Sequence, residues 1–233
     1  MTSFPPLAHP SSAYPPGGLA ILSDFDGTIV PVNTLNYLLE HFNVPGWRDI
    51  TNRWAQGEIS LEDEYRLSFA SVRASAAEME DVLSTVPIDP AFPAFIDLCR
   101  QKGVPLAIVS DGLRWYIERI LHHHGVGEIP IYACEIRFLD PGYTFEYPYF
   151  HPSTPLNGVS KRFLVQAYAQ HYQPIVFIGD GHNDFKAAEV AGRVYARDRL
   201  LELSRQRGLP AVEFTSFADI ASHLFQFAEP LKH

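Results

Sequence analysis

A chain of 233 residues, 46% hydrophobic and 19% charged, has the length of one large domain or of a core with an insertion, and its composition excludes a fully disordered protein. Lys and Arg number 18 against 27 Asp and Glu, a formal charge of -9, which argues against a nucleic-acid backbone or an anionic membrane as the main partner. Cys99 and Cys134 form no CxxC pair, so a cysteine zinc site is excluded and a reducing, cytoplasmic setting is expected.

Residues 1–18 are rich in proline and read as an extended tail, with neither the basic nor the apolar part of a secretory signal. No stretch approaches the roughly 20 apolar residues of a membrane helix. The run Leu19 to Ser23 predicts a buried strand ending on Asp24. A mostly helical region follows: Leu35, Leu38, Leu39 and Phe42 share one helical face, Ser60 can cap a helix whose first turn holds Glu62, Asp63 and Glu64, and 78–86 is a third short helix.

From residue 92 the chain alternates. Helices are predicted over 92–102, 113–124, 159–171, 183–190, 198–207 and 217–227, with strands over 104–109, 129–138, 143–147, 175–178 and 194–196 and a turn at Asp140-Pro141-Gly142. Strand then helix, repeated, means α/β: a mostly parallel sheet covered on both faces. Tyr143, Phe145, Tyr147, Tyr149 and Phe150 alternate as a strand with one packed face rather than a ligand cage. His122-His123-His124 looks like a metal cluster, but consecutive helical residues point about 100° apart, so a solvated helix end is expected.

Three of the strands end in polar residues suited to one chemistry: Asp24-Phe25-Asp26-Gly27-Thr28, Ser110-Asp111-Gly112, and Gly179-Asp180-Gly181-His182-Asn183-Asp184. Ligands of open α/β sheets bind outside the carboxyl ends of the strands, so these groups should share one rim. Asp24 and Asp26 lean to the same side, repel each other, and call for a hard cation such as Mg²⁺; a plain capped turn is the alternative. Asp180 would face the metal, while Asp184 returns from the first helical turn, where it could also serve the helix dipole. The Ser110 hydroxyl can donate to a phosphate oxygen, with the Asp111 and Gly112 amides beside it. Lys161 offers a point charge for phosphate, or is an ordinary surface lysine.

In order and rough spacing these residues resemble the four motifs of the haloacid dehalogenase superfamily of phosphatases, over residues 19 to about 200. The resemblance implies a Rossmann-like core from 19–31 and 88–233, with 32–87 inserted as a helical cap. It implies Asp24 as nucleophile, Asp26 as general acid and base, and phosphate binding by Ser110, Asp111, Gly112 and Lys161. Mg²⁺ would be held by Asp24, the Asp26 carbonyl and Asp180, with Thr28, Asn183 and Asp184 in support. The cap placement looks like the phosphoserine-phosphatase branch, whereas Ala196-Arg197-Asp198-Arg199-Leu200 and Ser110-Asp111-Gly112 look more like the methionine-salvage enolase-phosphate branch, often called MtnX-like.

Two features of the phosphoserine branch are replaced. The glutamate that holds the substrate's amino group falls at Asn33, and the cap arginine that holds its carboxylate falls at Ser68, with Arg66 about 200° away around the helix. The expected activity is hydrolysis of a small phosphorylated metabolite through an aspartyl-phosphate, with the methionine-salvage ester first. The alternatives are phosphocholine, phosphoethanolamine, pyridoxal phosphate or phosphoserine, or a catalytically dead Mg²⁺-binding relative acting by protein interaction. Dehalogenation needs neither Asp26 nor Asp180.

Overall fold

The computed structural model describes residues 17–139 and 142–225. The proline-rich segment, apart from Gly17 and Gly18, lies outside these residues, as do Asp140 and Pro141 of the predicted turn and the last two residues of the final predicted helix. Among the described residues no helix is long and apolar enough to cross a membrane.

Seven strands form one sheet among the described residues: β1 (Ala20–Ser23), β2 (Leu106–Leu113), β3 (Ile131–Leu139), β4 (Gly142–Glu146), β5 (Ile175–Gly179), β6 (Arg193–Ala196) and β7 (Val212–Glu213), in the order β4-β3-β2-β1-β5-β6-β7. Every pairing is parallel except that of β3 with β4, which form an antiparallel hairpin. β1 is central, with Ile21 opposite Leu106 on one side and Val176 on the other, and all four of its residues are buried. A strand buried on both faces needs no polar alternation, which is why an unbroken apolar run predicts it. The expected α/β class is therefore the observed one.

The core helices are α5 (Phe92–Gln101), α6 (Arg114–His123), α7 (Lys161–Tyr168), α8 (Phe185–Ala188), α9 (Asp198–Arg207) and α10 (Phe217–Phe225), and a 3₁₀ turn over His182–Asp184 leads into α8. Between β1 and β2 lie four more: α1 (Thr34–His41), α2 (Trp47–Ala55), α3 (Leu61–Phe69) and α4 (Ala76–Leu83). Their starts are encoded locally. The Asn33 side chain accepts from the Asn36 amide, Ser60 accepts from Asp63, and Ser75 with Glu78 closes a reciprocal capping box. Such a cap typically contributes ~1 kcal/mol.

The β3–β4 hairpin supports these inserted helices. Phe145 of β4 stacks on Tyr65 of α3 with ring centroids 5.2 Å apart, and Phe69 meets both Tyr143 and Phe145 edge-on at 5.1 Å. The alternating aromatics of β4 are thus a packed face, each pair adding about 0.5–1.5 kcal/mol to simple burial.

Three elements differ from the sequence reading. β2 does not stop before Ser110 but runs on to Leu113, because a bulge between Val109 and Leu113 preserves its pairing with β3. α2 had no separate prediction within the helical region. β7 was missed, since two residues carry no alternation to read.

Candidate active site

β1 lies between β2 and β5, with β2 leading away on one side and β5 on the other, so the residues after these strands open into one crevice at a switch in strand order. The Asp24 amide donates to the Ile178 carbonyl at 2.8 Å, which fixes the end of β1 against β5. The chain then turns at Gly27, whose φ is +73°. A Cβ there would collide with the Asp180 carboxylate, so this position requires glycine for both its conformation and its neighbour. Arg197 holds the turn from outside: its Nε donates to the Gly27 carbonyl at 2.8 Å and its Nη2 to that of Thr28 at 2.9 Å.

Asp24, Asp180 and Asp184 converge, each offering a carboxylate oxygen within 4.8 Å of the others. Lys161, the first residue of α7, places its ammonium 2.7 Å from Asp24 Oδ1 and 2.7 Å from Asp184 Oδ1. It is a buried bridging cation, not a surface lysine. The other oxygen of Asp184 accepts from the amides of Asp180 and Gly181, at 3.1 and 2.9 Å. Asp180 Oδ1 accepts from the Thr28 hydroxyl at 3.0 Å.

Three carboxylates with one ammonium leave an excess of buried negative charge. Burial, and then the charge of Asp184, raises the Asp24 carboxyl well above its ordinary range against the pull of Lys161. The same two influences, in the same order, push Asp180 up to about 7. Burial disfavours the Lys161 ammonium, but Asp184 and Asp24 outweigh it, and the pKa is raised.

This donor set fits Mg²⁺. Asp24 Oδ2 and Asp180 Oδ2 accept no hydrogen bond among the described residues, all the donors are hard oxygens, and a divalent cation would relieve the repulsion that lifts both groups.

Asp26 stands apart from that cluster. Its Oδ1 accepts from the Thr34 amide at 2.9 Å and from the Thr34 hydroxyl, and its Oδ2 accepts from the Tyr116 hydroxyl at 3.2 Å. Burial raises its carboxyl despite these donors. A side chain so held, protonated more readily than in water, is suited to giving and taking a proton.

Ser110 is buried at the rim, and its Oγ accepts from the Gly112 amide at 2.9 Å. Asp111 turns its carboxylate inward. Oδ1 accepts from the amides of Gly158 and Val159 at 3.0 and 2.9 Å, and Oδ2 from the side-chain amides of Asn157 and Asn183 at 2.8 and 2.9 Å. Four donors saturate the group, so the Asp111 side chain braces the loop before Lys161 against that of Asn183. What Asp111 and Gly112 offer an anion is backbone.

Asp24, Asp26, Ser110, Asp111, Gly112, Tyr116, Asp180 and Asn183 line a cavity of about 700 Å³. Its far wall is formed by the inserted helices, through Asn33, Leu35, Trp54, Leu61, Glu64 and Tyr65. The Tyr65 hydroxyl donates to the Asp111 carbonyl at 3.0 Å, and Trp54 meets His182 with ring centroids 5.6 Å apart. The two walls therefore touch at two places.

All ten residues singled out in the sequence thus gather here. The His122–His124 run does not join them: His124 Nε2 bonds the Val86 carbonyl at 2.8 Å, and the acidic cluster is the one candidate metal group among the described residues. Sequence reading missed Thr34, Tyr116, Trp54 and Glu64 at the cavity and took Arg197 only as a branch resemblance. Thr34, eight residues after Asp26 at a helix start, was the one with a local signal.

Residues 21–189 match the family model of haloacid dehalogenase-like hydrolases. Over 214 residues the chain is 27% identical to a 2-hydroxy-3-keto-5-methylthiopentenyl-1-phosphate phosphatase of Brevibacillus brevis, covering 89% of this chain and 96% of that protein. It is 28% identical over 213 residues to a bifunctional enzyme MtnB/MtnX of Bacillus licheniformis, covering 90% of this chain and 50% of that protein. A solved structure of phosphoserine phosphatase, a phospho-aspartyl intermediate analogue, aligns with a TM-score of 0.68 at 19% identity, over 89% of this chain and 99% of that one. A hydrolase of the same superfamily from Salmonella enterica serovar Typhi gives 0.73 at 18% identity, over 92% and 73%.

Proposed function

The chain belongs to the haloacid dehalogenase-like hydrolase family and is a phosphatase, and from that premise we propose that it hydrolyses a small phosphorylated metabolite through an aspartyl-phosphate, with Mg²⁺ as cofactor. We take the substrate to be that of its relatives, 2-hydroxy-3-keto-5-methylthiopentenyl 1-phosphate. One observation carries the mechanism: Asp24, Asp180, Asp184 and Lys161 meet at the ends of β1 and β5, with Asp26 held separately beside them.

In this reading a carboxylate oxygen of Asp24 attacks phosphorus in line with the ester oxygen, forming the acyl phosphate as the P–O ester bond breaks. Asp26 gives its proton to the departing oxygen. It then takes one from the water that attacks the acyl phosphate, releasing phosphate and restoring Asp24; such proton transfer typically contributes about 10² to 10⁴ in rate. Thr34 and Tyr116 keep the Asp26 carboxyl aimed through both steps. Lys161 and the Ser110 hydroxyl bind the equatorial phosphoryl oxygens, and Asp111 keeps their loops in register.

Asp24, the Asp26 carbonyl and Asp180 would hold Mg²⁺, which when bound neutralises charge on the phosphoryl oxygens. Residues 32–87 serve as the cap, excluding water and meeting the alcohol part of the substrate, over a core of 19–31 and 88–233. The test is phosphate release from that ester by the purified protein, with and without EDTA. Turnover of an aryl phosphate but not of this ester would remove the substrate assignment and leave the mechanism standing.

A further inference from the structure

Of the carboxylates that line the cavity, the proposed mechanism and its brace account for Asp24, Asp26, Asp111 and Asp180, and Asp198 and Glu213 are exposed to solvent, which leaves one buried carboxyl on the outer wall unexplained. Glu64, in the first turn of α3, is 3% exposed and lines the cavity together with Leu35, Trp54, Leu61 and Tyr65. Glutamate is almost never buried without a partner, because an ionised carboxylate in apolar surroundings is costly. Among the described residues Glu64 has no ion pair: its neighbours of consequence are the Thr51 hydroxyl from α2 and, less favourably, the Asp111 carboxylate from β2. Burial, the largest influence, pushes its carboxyl up to about 8.

Of the elements packed against α3, α2 carries Arg48 and Arg53, but both are exposed and paired, with Glu40 at 2.6 Å and Glu58 at 3.8 Å. β4 presents the rings of Tyr143 and Phe145, and Tyr65 follows on α3 itself. Arg197, the cation that lines the cavity, is engaged by the carbonyls of Gly27 and Thr28. His182 lies across the cavity, its ring against that of Trp54. Apart from Asn33, whose oxygen caps α1, the outer wall is therefore apolar and aromatic around a single carboxyl group with unused hydrogen-bonding capacity.

We infer that Glu64 determines specificity: its carboxyl group donates a hydrogen bond to an uncharged carbonyl or hydroxyl oxygen on the group esterified to phosphate. The inference rests on the phosphatase reading of the site and adds the chemical class of what the cap accepts. An oxygenated, uncharged chain satisfies the carboxyl without ionising it. A substrate ammonium would require the anion, next to the like charge of Asp111 and away from water. A purely apolar chain would leave the group unpaired, and sites built to bond a substrate oxygen reject analogues that lack it.

The test uses the Mg²⁺-loaded enzyme and its Glu64→Gln and Glu64→Leu variants. Three phosphate esters serve as probes: dihydroxyacetone phosphate, which carries a carbonyl and a hydroxyl, propyl phosphate, which carries neither, and phosphoethanolamine, which carries an ammonium. The reading is the ratio of kcat/KM between esters within each enzyme. Wild type should favour dihydroxyacetone phosphate over propyl phosphate by at least about tenfold, the scale of one buried hydrogen bond. Glutamine, uncharged and still a donor, should keep that ratio within about threefold, and leucine should abolish it. The wild-type ratio should fall above about pH 8, while that of Glu64→Gln stays flat.

Loss of the preference in Glu64→Gln as complete as in Glu64→Leu would overturn the inference, as would its survival in Glu64→Leu or a wild-type preference for phosphoethanolamine. Failure of the phosphatase reading shows separately, as no hydrolysis of p-nitrophenyl phosphate by the wild type. Calorimetric binding of the three esters to an Asp24→Asn background then measures the same preference without turnover.

Discussion

The ammonium of Lys161 lies 2.7 Å from Oδ1 of Asp24, with both side chains almost wholly buried. The pair pulls the proposed nucleophile toward its anionic form, against the burial that raises its carboxyl. Asp24→Asn keeps the shape and loses the nucleophile, so turnover of any phosphate ester should fall at least about 10³-fold. Lys161 retains Asp184 as partner, and one carboxylate leaves a crowded cluster, so the melting temperature should not fall. Rates and thermal melts of the purified variant check both, and wild-type rates would remove Asp24 from the role.

Chelation should stop the reaction. Activity is expected to require Mg²⁺ and collapse in EDTA, with Ca²⁺ binding but supporting poor turnover, because its looser coordination misplaces the nucleophile. A readout independent of activity is the melting temperature. Mg²⁺ should raise it in wild type and not in Asp180→Asn, which removes one of the two oxygens left free in the cluster.

Asp111 should matter through its brace. In Asp111→Asn one acceptor becomes a donor and faces donors from Asn157, Asn183 or the Gly158 and Val159 amides. Hydrogen bonds to charged groups are worth about 1.5–3 kcal/mol, so unfolding in urea should show a loss of that order. A lower kcat should accompany it, since the braced loop leads directly into Lys161.

Phosphoserine should be at least a hundredfold poorer, in kcat/KM, than an ester without an amino acid group. Asn33 lines the cavity but carries no charge, and its oxygen is engaged as the cap of α1. Ser68 is buried away from the cavity wall, and Arg66 is exposed and paired with Asp63 at 2.8 Å. Steady-state kinetics in which phosphoserine is the best of a broad panel would contradict this.

Glu64 also predicts a pH dependence of stability. Its folded pKa of about 8 stands above the unfolded value near 4.3, so between those limits the folded state binds more protons than the unfolded one. Stability from this group is fully present below pH 4.3, declines as pH rises, and levels off above about 8. The upper limit of the decline is on the order of 5 kcal/mol. Glu64→Gln should abolish it, so the variant should gain on wild type in urea unfolding between pH 5 and pH 8. A constant difference across that range would show that the carboxyl is ionised throughout.

The burial of β1 and the glycine at position 27 follow from neighbouring residues: an unbroken apolar run buries on both faces, and glycine takes a φ of +73° this close to the Asp180 carboxylate. Asp24, Asp26, Lys161, Asp180 and Asp184 were legible because each stands where a strand ends or a helix begins, and Ser110 because it follows the unbroken apolar run of β2. The extension of β2 through Ser110 was not, because a bulge is defined by the register of β3 opposite it.

By itself the sequence determined the α/β class, the ends of β1 and β5 and the chemical types delivered to the rim, since these depend on local backbone preference and hydrophobic period. What it could not determine is who meets whom across the fold. The Tyr116 hydroxyl reaches Asp26 across 90 positions of chain and Arg197 reaches Gly27 across 170, and neither residue differs in type or spacing from an ordinary helix or loop residue. Glu64 read as an acid placed for the helix dipole, and only the packing of α3 against the cavity took it out of water. Burial and proximity are properties of the closed structure, and they alone changed what these side chains can do.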